Sequence, residues 1–259
     1  MADPVRGACL CGAVAFEAAP PLRPVIVCHC RECRAWSGHL WAATSVPHDR
    51  FRLTRSEGLR WYRSSAAARR GFCGTCGASL FWQPEGEARI SIGAGTLDGP
   101  TGLAVAGHIF THEAGDYDAP EGPPPAPAPA AGAAKGRCLC GACRFTVPAP
   151  VGEVTACHCR QCRKTSGHVA ASVDVDEAAV IWQARHDARF TTPGGGTRGF
   201  CTACGSSLWF RAADGAFSVE AGCVAPPTGG RLTRHIFTAS RGDYYTLTDG
   251  LPQAPGAGS

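Results

Sequence analysis

The sequence predicts a mostly β protein, built as two small β domains in tandem and joined by a Pro/Ala-rich linker. Three observations predict it: the chain repeats itself, glycine and proline punctuate it, and its apolar residues fall in short runs. Cys9-Leu10-Cys11-Gly12-Ala13 returns as Cys138-Leu139-Cys140-Gly141-Ala142, and Cys28-His29-Cys30-Arg31-Glu32-Cys33-Arg34 as Cys157-His158-Cys159-Arg160-Gln161-Cys162-Arg163. Arg70-Gly71-Phe72-Cys73-Gly74-Thr75-Cys76-Gly77 returns as Arg198-Gly199-Phe200-Cys201-Thr202-Ala203-Cys204-Gly205, at an offset that stays between 127 and 129 residues. Self-similarity at a fixed offset marks a duplicated structural unit. The 33 Gly and 20 Pro among 259 residues disfavour helix interiors and so argue against a helical bundle or coiled coil.

The elements follow in order. In the first copy the β-prone runs are 13–17, 25–27, 40–46, 60–62, 80–82 and 89–92; in the second they are 144–147, 169–173, 180–182, 208–210 and 217–219. Gly, Pro, Ser or Asp lies near most of their ends, as strand boundaries require. Residues 176–189 alone could pass for a helix, but their counterpart 48–61 contains Gly58 and reads as strands, so strands are expected in both. The first domain is placed at 1–118 and the second at 136–251. Residues 119–135, rich in Pro and Ala, cannot build a core and read as a semi-extended spacer. The tail 252–259 has similar composition and is expected to be loose.

Charge and hydropathy exclude several classes. The formal net charge is +4, carried almost wholly by Arg, and acidic residues are interleaved, so nothing asks for a nucleic-acid partner. No stretch of 18 apolar residues predicts a membrane span. Residues 1–7 lack the apolar run of a secretory signal, and a reducing, cytoplasmic setting is the expectation. There, clustered cysteines read as metal ligands or catalytic thiols rather than disulfides.

The 16 Cys fall into a grammar. Each copy holds C-x-C (Cys9 and Cys11; Cys138 and Cys140), C-x-C-x-x-C (Cys28, Cys30 and Cys33; Cys157, Cys159 and Cys162) and C-x-x-C (Cys73 and Cys76; Cys201 and Cys204). Cys143 and Cys223 are left over, Cys143 reading as a small buried apolar residue and Cys223 as the same or as a stray thiol. An odd count of seven per copy weakens disulfide pairing further and suits zinc, since a closed structural site takes four protein ligands and a reactive one three. The C-x-x-C-G turns supply two ligands and need two more, which the C-x-C pairs offer; the compact triplets remain for a second metal. Two readings of the triplet stay open: an open site for chemistry, or a second closed site completed by His29, His39 or another group. The spacings differ from those of iron–sulfur proteins.

On these motifs the chain resembles the glutathione-dependent formaldehyde-activating family, the CENP-V/GFA domain, in both halves. The resemblance implies a Mss4-like β fold, a structural zinc on the C-x-C and C-x-x-C cysteines, and a catalytic zinc on the triplet: two zinc ions per domain, four per chain. It further implies condensation of formaldehyde with glutathione, a carbon–sulfur lyase activity, with a small thiol and a small aldehyde as partners. The second copy departs from the family pattern where Gly95-Thr96-Leu97-Asp98 is matched by Gly222-Cys223-Val224-Ala225, losing the Asp.

Three thiolates leave a zinc centre electron-rich, which favours activation of an incoming thiol over generation of hydroxide. Arg31, Arg34, Arg160 and Arg163 are candidates to pair with substrate carboxylates, or are solvated surface arginines. His29 and His158 are candidates for proton transfer or support of the ligands; His39, His168, His108 and His235 recur with either role open. Trp61, Phe81, Trp82, Trp209 and Phe210 are expected in the core. The competing functions are a zinc-ribbon-like binding module and a zinc store or redox sensor.

Overall fold

A computed structural model describes residues 3–258; Met1, Ala2 and Ser259, part of the expected start and tail, lie outside them. Each half is built from two antiparallel-dominated sheets. In the first, β1 (Val5–Ala8), β2 (Ala15–Ala18) and β5 (Phe51–Arg55) form a three-stranded sheet. The second sheet has seven strands in the order β10 (Val105–Ile109), β3 (Val25–Cys28), β4 (Trp41–Pro47), β9 (Arg89–Gly93), β8 (Ser79–Pro84), β7 (Ala68–Cys73) and β6 (Leu59–Ser65). The second half repeats both. Its small sheet is β11 (Gly132–Arg137), β12 (Arg144–Ala149) and β15 (Ile181–Ala184). Its large sheet runs β16 (Asp187–Thr191), β17 (Thr197–Cys201), β18 (Ser207–Arg211), β19 (Phe217–Glu220), β14 (Ala170–Asp174), β13 (Gly152–Cys157) and β20 (Gly230–Ile236). No helix among the described residues is long and apolar enough to cross a membrane.

The pleat explains which residues go inward. In β2, Phe16 and Ala18 are buried and alternate with half-buried neighbours; in β9, Ile90 and Ile92 do the same, the period of a strand with one face on a core. β4 is buried along six consecutive residues because it lies within the sheet and carries the contact with the other half. Residues 176–189 hold a 3-10 turn (Glu177–Ala179) and strands rather than an α-helix. Two elements lie inside the cysteine triplets instead, the seven-residue helices α1 (Arg31–Ser37) and α2 (Arg160–Ser166).

The halves share a continuous interface with an approximate two-fold relation. Gly95 N–H donates to Gly167 O at 2.7 Å and Gly222 N–H to Gly38 O at 2.7 Å. Gly77 and Gly205, the glycines after each C-x-x-C, take positive φ (74° and 77°) and lie against Phe200 and Phe72 of the opposite half, where a Cβ would come within 2.5 and 2.2 Å of a ring atom. These glycines therefore shape the turn and also admit the partner ring. The arms that follow β10 and β20 cross over. Leu232 N–H donates to Tyr117 O at 2.8 Å and Val105 N–H to Tyr244 O at 2.9 Å, which buries Tyr117 among second-half residues and Tyr244 beside Val25, Val27 and Leu40.

Two boundary expectations change. Strand structure resumes at Gly132, within the segment 119–135 read as spacer, because 132–137 pair in register with 144–149. The tail is docked rather than loose: His235 N–H donates to Pro252 O at 2.9 Å and Phe237 N–H to Gly256 O at 2.7 Å, satisfying the outer edge of β20.

Candidate metal centres and the pockets beside them

Four groups of cysteine sulfurs converge, with all Sγ atoms of a group within 4.8 Å of one another: Cys9, Cys11, Cys73 and Cys76; Cys138, Cys140, Cys201 and Cys204; Cys28, Cys30 and Cys33; Cys157, Cys159 and Cys162. The groups are those the motif spacing pairs. All 16 cysteines are free thiols.

In the tetrads, the C-x-C pair follows the first strand of each half and the C-x-x-C turn begins at the end of β7 and β17. Gly77 N–H donates to Cys73 O at 2.8 Å and Gly205 N–H to Cys201 O at 2.8 Å, closing each turn so that both sulfurs face inward. Cys9 and Cys11 Sγ lie 3.5 Å apart and Cys11 and Cys73 Sγ 3.7 Å; Cys138 and Cys140 lie 3.5 Å apart and Cys140 and Cys201 3.8 Å. A disulfide requires about 2.05 Å, whereas the edge of a tetrahedron with Zn–S of about 2.3 Å is about 3.8 Å. The donor set fits a closed tetrathiolate ion. Backbone N–H groups of Val14 and Cys143 donate to Cys9 and Cys138 Sγ at 3.3 and 3.2 Å, which suits sulfurs bearing negative charge.

In the triplets, Cys28 and Cys157 end β3 and β13. Cys30 and Cys159 are the N-caps of α1 and α2, their sulfurs accepting from the N–H of Cys33 and Cys162, each at 3.4 Å. A cap and the residue three positions on lie side by side by helix geometry, which is why C-x-x-C converges here. Gly38 and Gly167 end these helices at φ 92° and 82°. Among the described residues no histidine or carboxylate joins either triplet within that radius: His29 and His39, the candidates to close the site, are engaged elsewhere. A cavity of about 670 Å³ opens beside the first triplet and one of about 460 Å³ beside the second.

The arginine that touches the ligands was not among the candidates. Arg70 Nη1 donates to Cys33 Sγ at 3.6 Å and Arg198 Nη2 to Cys162 Sγ at 3.4 Å. Both are buried, both line the cavities, and both leave Nε without a partner. Recurrence of the Arg in R-G-F-C was the available signal. Hydrogen bonds with Cys28 and Cys30, together with the Arg70 guanidinium, hold the Cys33 thiol well below its usual range against its burial.

The remaining candidates separate. Arg31 and Arg160 are exposed on the cavity rims. Arg34 is buried and Arg163 half-buried; their Nε atoms donate to Glu113 O and Ser240 O at 3.0 and 2.9 Å, so they clamp the turn after β10 and β20 rather than lie in solvent. His29 and His158 turn away from the sulfurs into a chamber of about 500 Å³ between the halves, which all six recurring histidines line. There His29 Nε2 lies 2.8 Å from His108 Nδ1, and His158 Nε2 2.9 Å from His235 Nδ1. His39 and His168 Nδ1 bond Tyr117 and Tyr244 hydroxyls at 3.0 and 2.8 Å. Burial pulls the imidazoles of His29 and His39 down to about 4 and about 3, so both are neutral at pH 7.

Of the aromatic residues, Phe81 and Trp209 are core and Trp61 packs at its edge. Trp82 and Phe210 instead line the two cavities, since the outward face of β8 and β18 is turned to the triplets. Cys143 and Cys223 are buried; Cys143 lies in the second half's core beside Cys138, and Cys223 Sγ donates to Ser207 O at 3.0 Å.

Two copies of a small β domain, each with one enclosed cysteine tetrad and one triplet beside a cavity, define a duplicated protein whose sulfur clusters could hold metal ions. The chain belongs to the glutathione-dependent formaldehyde-activating enzyme family, whose model matches residues 4–113 and 133–240. It is 33% identical over 77 residues to an uncharacterized lyase of Schizosaccharomyces pombe, covering 30% of this chain and 56% of that protein. It is 39% identical over 87 residues to a Halomonas elongata protein named "Putative glutathione-dependent formaldehyde-activating enzyme", covering 29% of this chain and 54% of that one. The chain thus spans about half the length of each of these relatives. A crystal structure of a Rhodobacter sphaeroides protein is 26% identical, with a TM-score of 0.33, covering 40% of this chain and 99% of that one.

Proposed function

We propose that the protein is a zinc enzyme of the carbon–sulfur lyase class, forming or breaking the adduct of a glutathione-like thiol with a small, formaldehyde-like aldehyde. The observation that carries this reading is the contrast between enclosed tetrads and triplets that no fourth protein group completes, each beside a cavity. Cys9, Cys11, Cys73 and Cys76, with Cys138, Cys140, Cys201 and Cys204, hold structural ions. Cys28, Cys30 and Cys33, with Cys157, Cys159 and Cys162, would hold the ions of the reactive sites, which when bound would favour the thiolate form of a substrate thiol. Arg70 and Arg198 draw negative charge from the sulfur they bond, which offsets the charge of three thiolates in a buried wall. Arg31 and Arg160, on the rims, are placed to pair with carboxylates of a glutathione-like substrate. His29 and His158, neutral and bonded to His108 and His235, are placed to pass a proton along the chamber side rather than to hold one.

Metal content tests the reading. Four zinc ions per chain are expected, two of them removed more readily by a chelator. Cys30→Ser and Cys159→Ser should each lose one ion without unfolding, and the double variant should lose all acceleration of adduct formation over the spontaneous reaction, followed by NMR. Full activity of the double variant would refute it.

A further inference from the structure

The two triplet pockets are built on one backbone with different walls. Equivalent positions are fixed by register: Cys28 pairs with Trp41 and Ile26 with Ala43 across β3 and β4, while Cys157 pairs with Ala170 and Thr155 with Ser172 across β13 and β14. Ala43 in turn pairs with Gly93, and Ser172 with Glu220. In the first half the indole of Trp41 fills the space at this corner, lying against Gly93 and Gly167. In the second, Ala170 vacates it and the Glu220 side chain takes it, lying against Gly38. A bulky residue and a glycine have been exchanged for an alanine and an acid.

The change extends along the wall. Ile26 and Ala43 line the first pocket, and Thr155 and Ser172 line the second, which also gains Asp174. Two of the protein's buried polar atoms without a hydrogen-bond partner sit at the exchanged positions: Trp41 Nε1 and Glu220 Oε2. Glu220 is nearly fully buried, and its other oxygen accepts from Ser207 Oγ at 3.2 Å. A buried polar atom left unpaired is costly, and a ligand group that completes it gains what one lacking it forfeits.

We propose that the two triplets serve different substrates: the first pocket takes a thiol or aldehyde carrying an apolar, aromatic-sized group, and the second a smaller one carrying a hydroxyl, with Glu220 as the specificity-determining residue. The proposal rests on the reading of the triplets as thiol-binding centres. The larger first cavity accords with the larger group.

The test uses the zinc-loaded full chain in two single-site forms, Cys159→Ser to leave the first triplet and Cys30→Ser to leave the second. Benzyl mercaptan and 2-mercaptoethanol are titrated into each by calorimetry. The Cys159→Ser form should bind benzyl mercaptan at least about tenfold more tightly relative to 2-mercaptoethanol than the Cys30→Ser form does. Adding Glu220→Leu to the Cys30→Ser form should remove its preference for the hydroxylated thiol, and Glu220→Gln should keep it. A relative affinity that differs less than about tenfold between the forms, binding in one form only, or a preference unmoved by Glu220→Leu overturns the inference and leaves thiol activation standing. Binding of neither thiol to either form overturns both.

Discussion

The two halves keep the same cysteine clusters and differ in what surrounds them. Fourteen cysteines recur at matching positions in four clusters, yet the contacts across the interface are asymmetric. Trp36 of α1 reaches the opposite tetrad, its Nε1 donating to Cys204 O at 3.0 Å; its counterpart in α2 is Thr165, bonded within its own helix. Lys164 of α2, nearly fully buried, bonds Asp98 at 2.8 Å and Thr96 O at 2.7 Å, whereas the reverse contact would join Ala35 and Ala225. His108 is exposed, while His235 is buried beneath the docked tail with its Nε2 2.7 Å from Asp249 Oδ2. The cysteine positions match between the halves while the packing around them differs. The aspartate whose loss marked the second copy in the sequence is an interface residue here, not a pocket one.

This comparison can be broken by mutation. Trp36→Ala should cost about 3–5 kcal/mol, the range for emptying a buried Trp site, while Thr165→Ala should cost under about 1 kcal/mol; chemical denaturation of both variants checks this, and equal losses would mean the interface is symmetric in energy. Glu220→Gln should act through pH. Burial raises Glu220 to about 8 against the pull of Arg198, so the folded state holds its proton above the unfolded pKa of 4.5, and the group costs stability as pH rises from there toward 8. Glutamine cannot ionise, so the variant should gain up to about 4 kcal/mol at pH 7.5 and nothing at pH 4, read from melts at the two pH values. Asp98→Ala should cost about 2 kcal/mol by leaving a buried ammonium short of its partner, while Lys164→Met should stay within about 1 kcal/mol; urea titrations distinguish them.

The cysteine groupings were legible because each motif is local: cysteines within three residues of one another, followed by glycine in the C-x-C and C-x-x-C pairs, lie close together whatever the tertiary structure. The β class was legible from runs such as 40–46 and 89–92. Helices α1 and α2 were not, since seven residues give less than two turns of periodicity and their N-caps are Cys30 and Cys159, residues outside the usual capping set. Arg70 and Arg198 escaped because a conspicuous arginine beside a C-x-x-C is as easily a surface charge; only the fold carries it to the other cluster. The histidine chamber joins the His29–His108 and His158–His235 pairs, each formed between distant segments of one half, with His39 and His168, and only the interface brings the two sets together. The docked tail was misread from composition, which reports what a segment cannot bury and not what edge awaits it.

The crossed arms have a consequence for how such a chain can change. In a symmetric pair of identical subunits every substitution is made twice, so a new residue must suit both copies at once. Here Tyr117 and Tyr244 fasten each half into the body of the other within a single polypeptide, and one copy can accept a change while its twin retains the original. A fused pair of this kind is free to become two unlike workshops under one roof, without either having to stand alone.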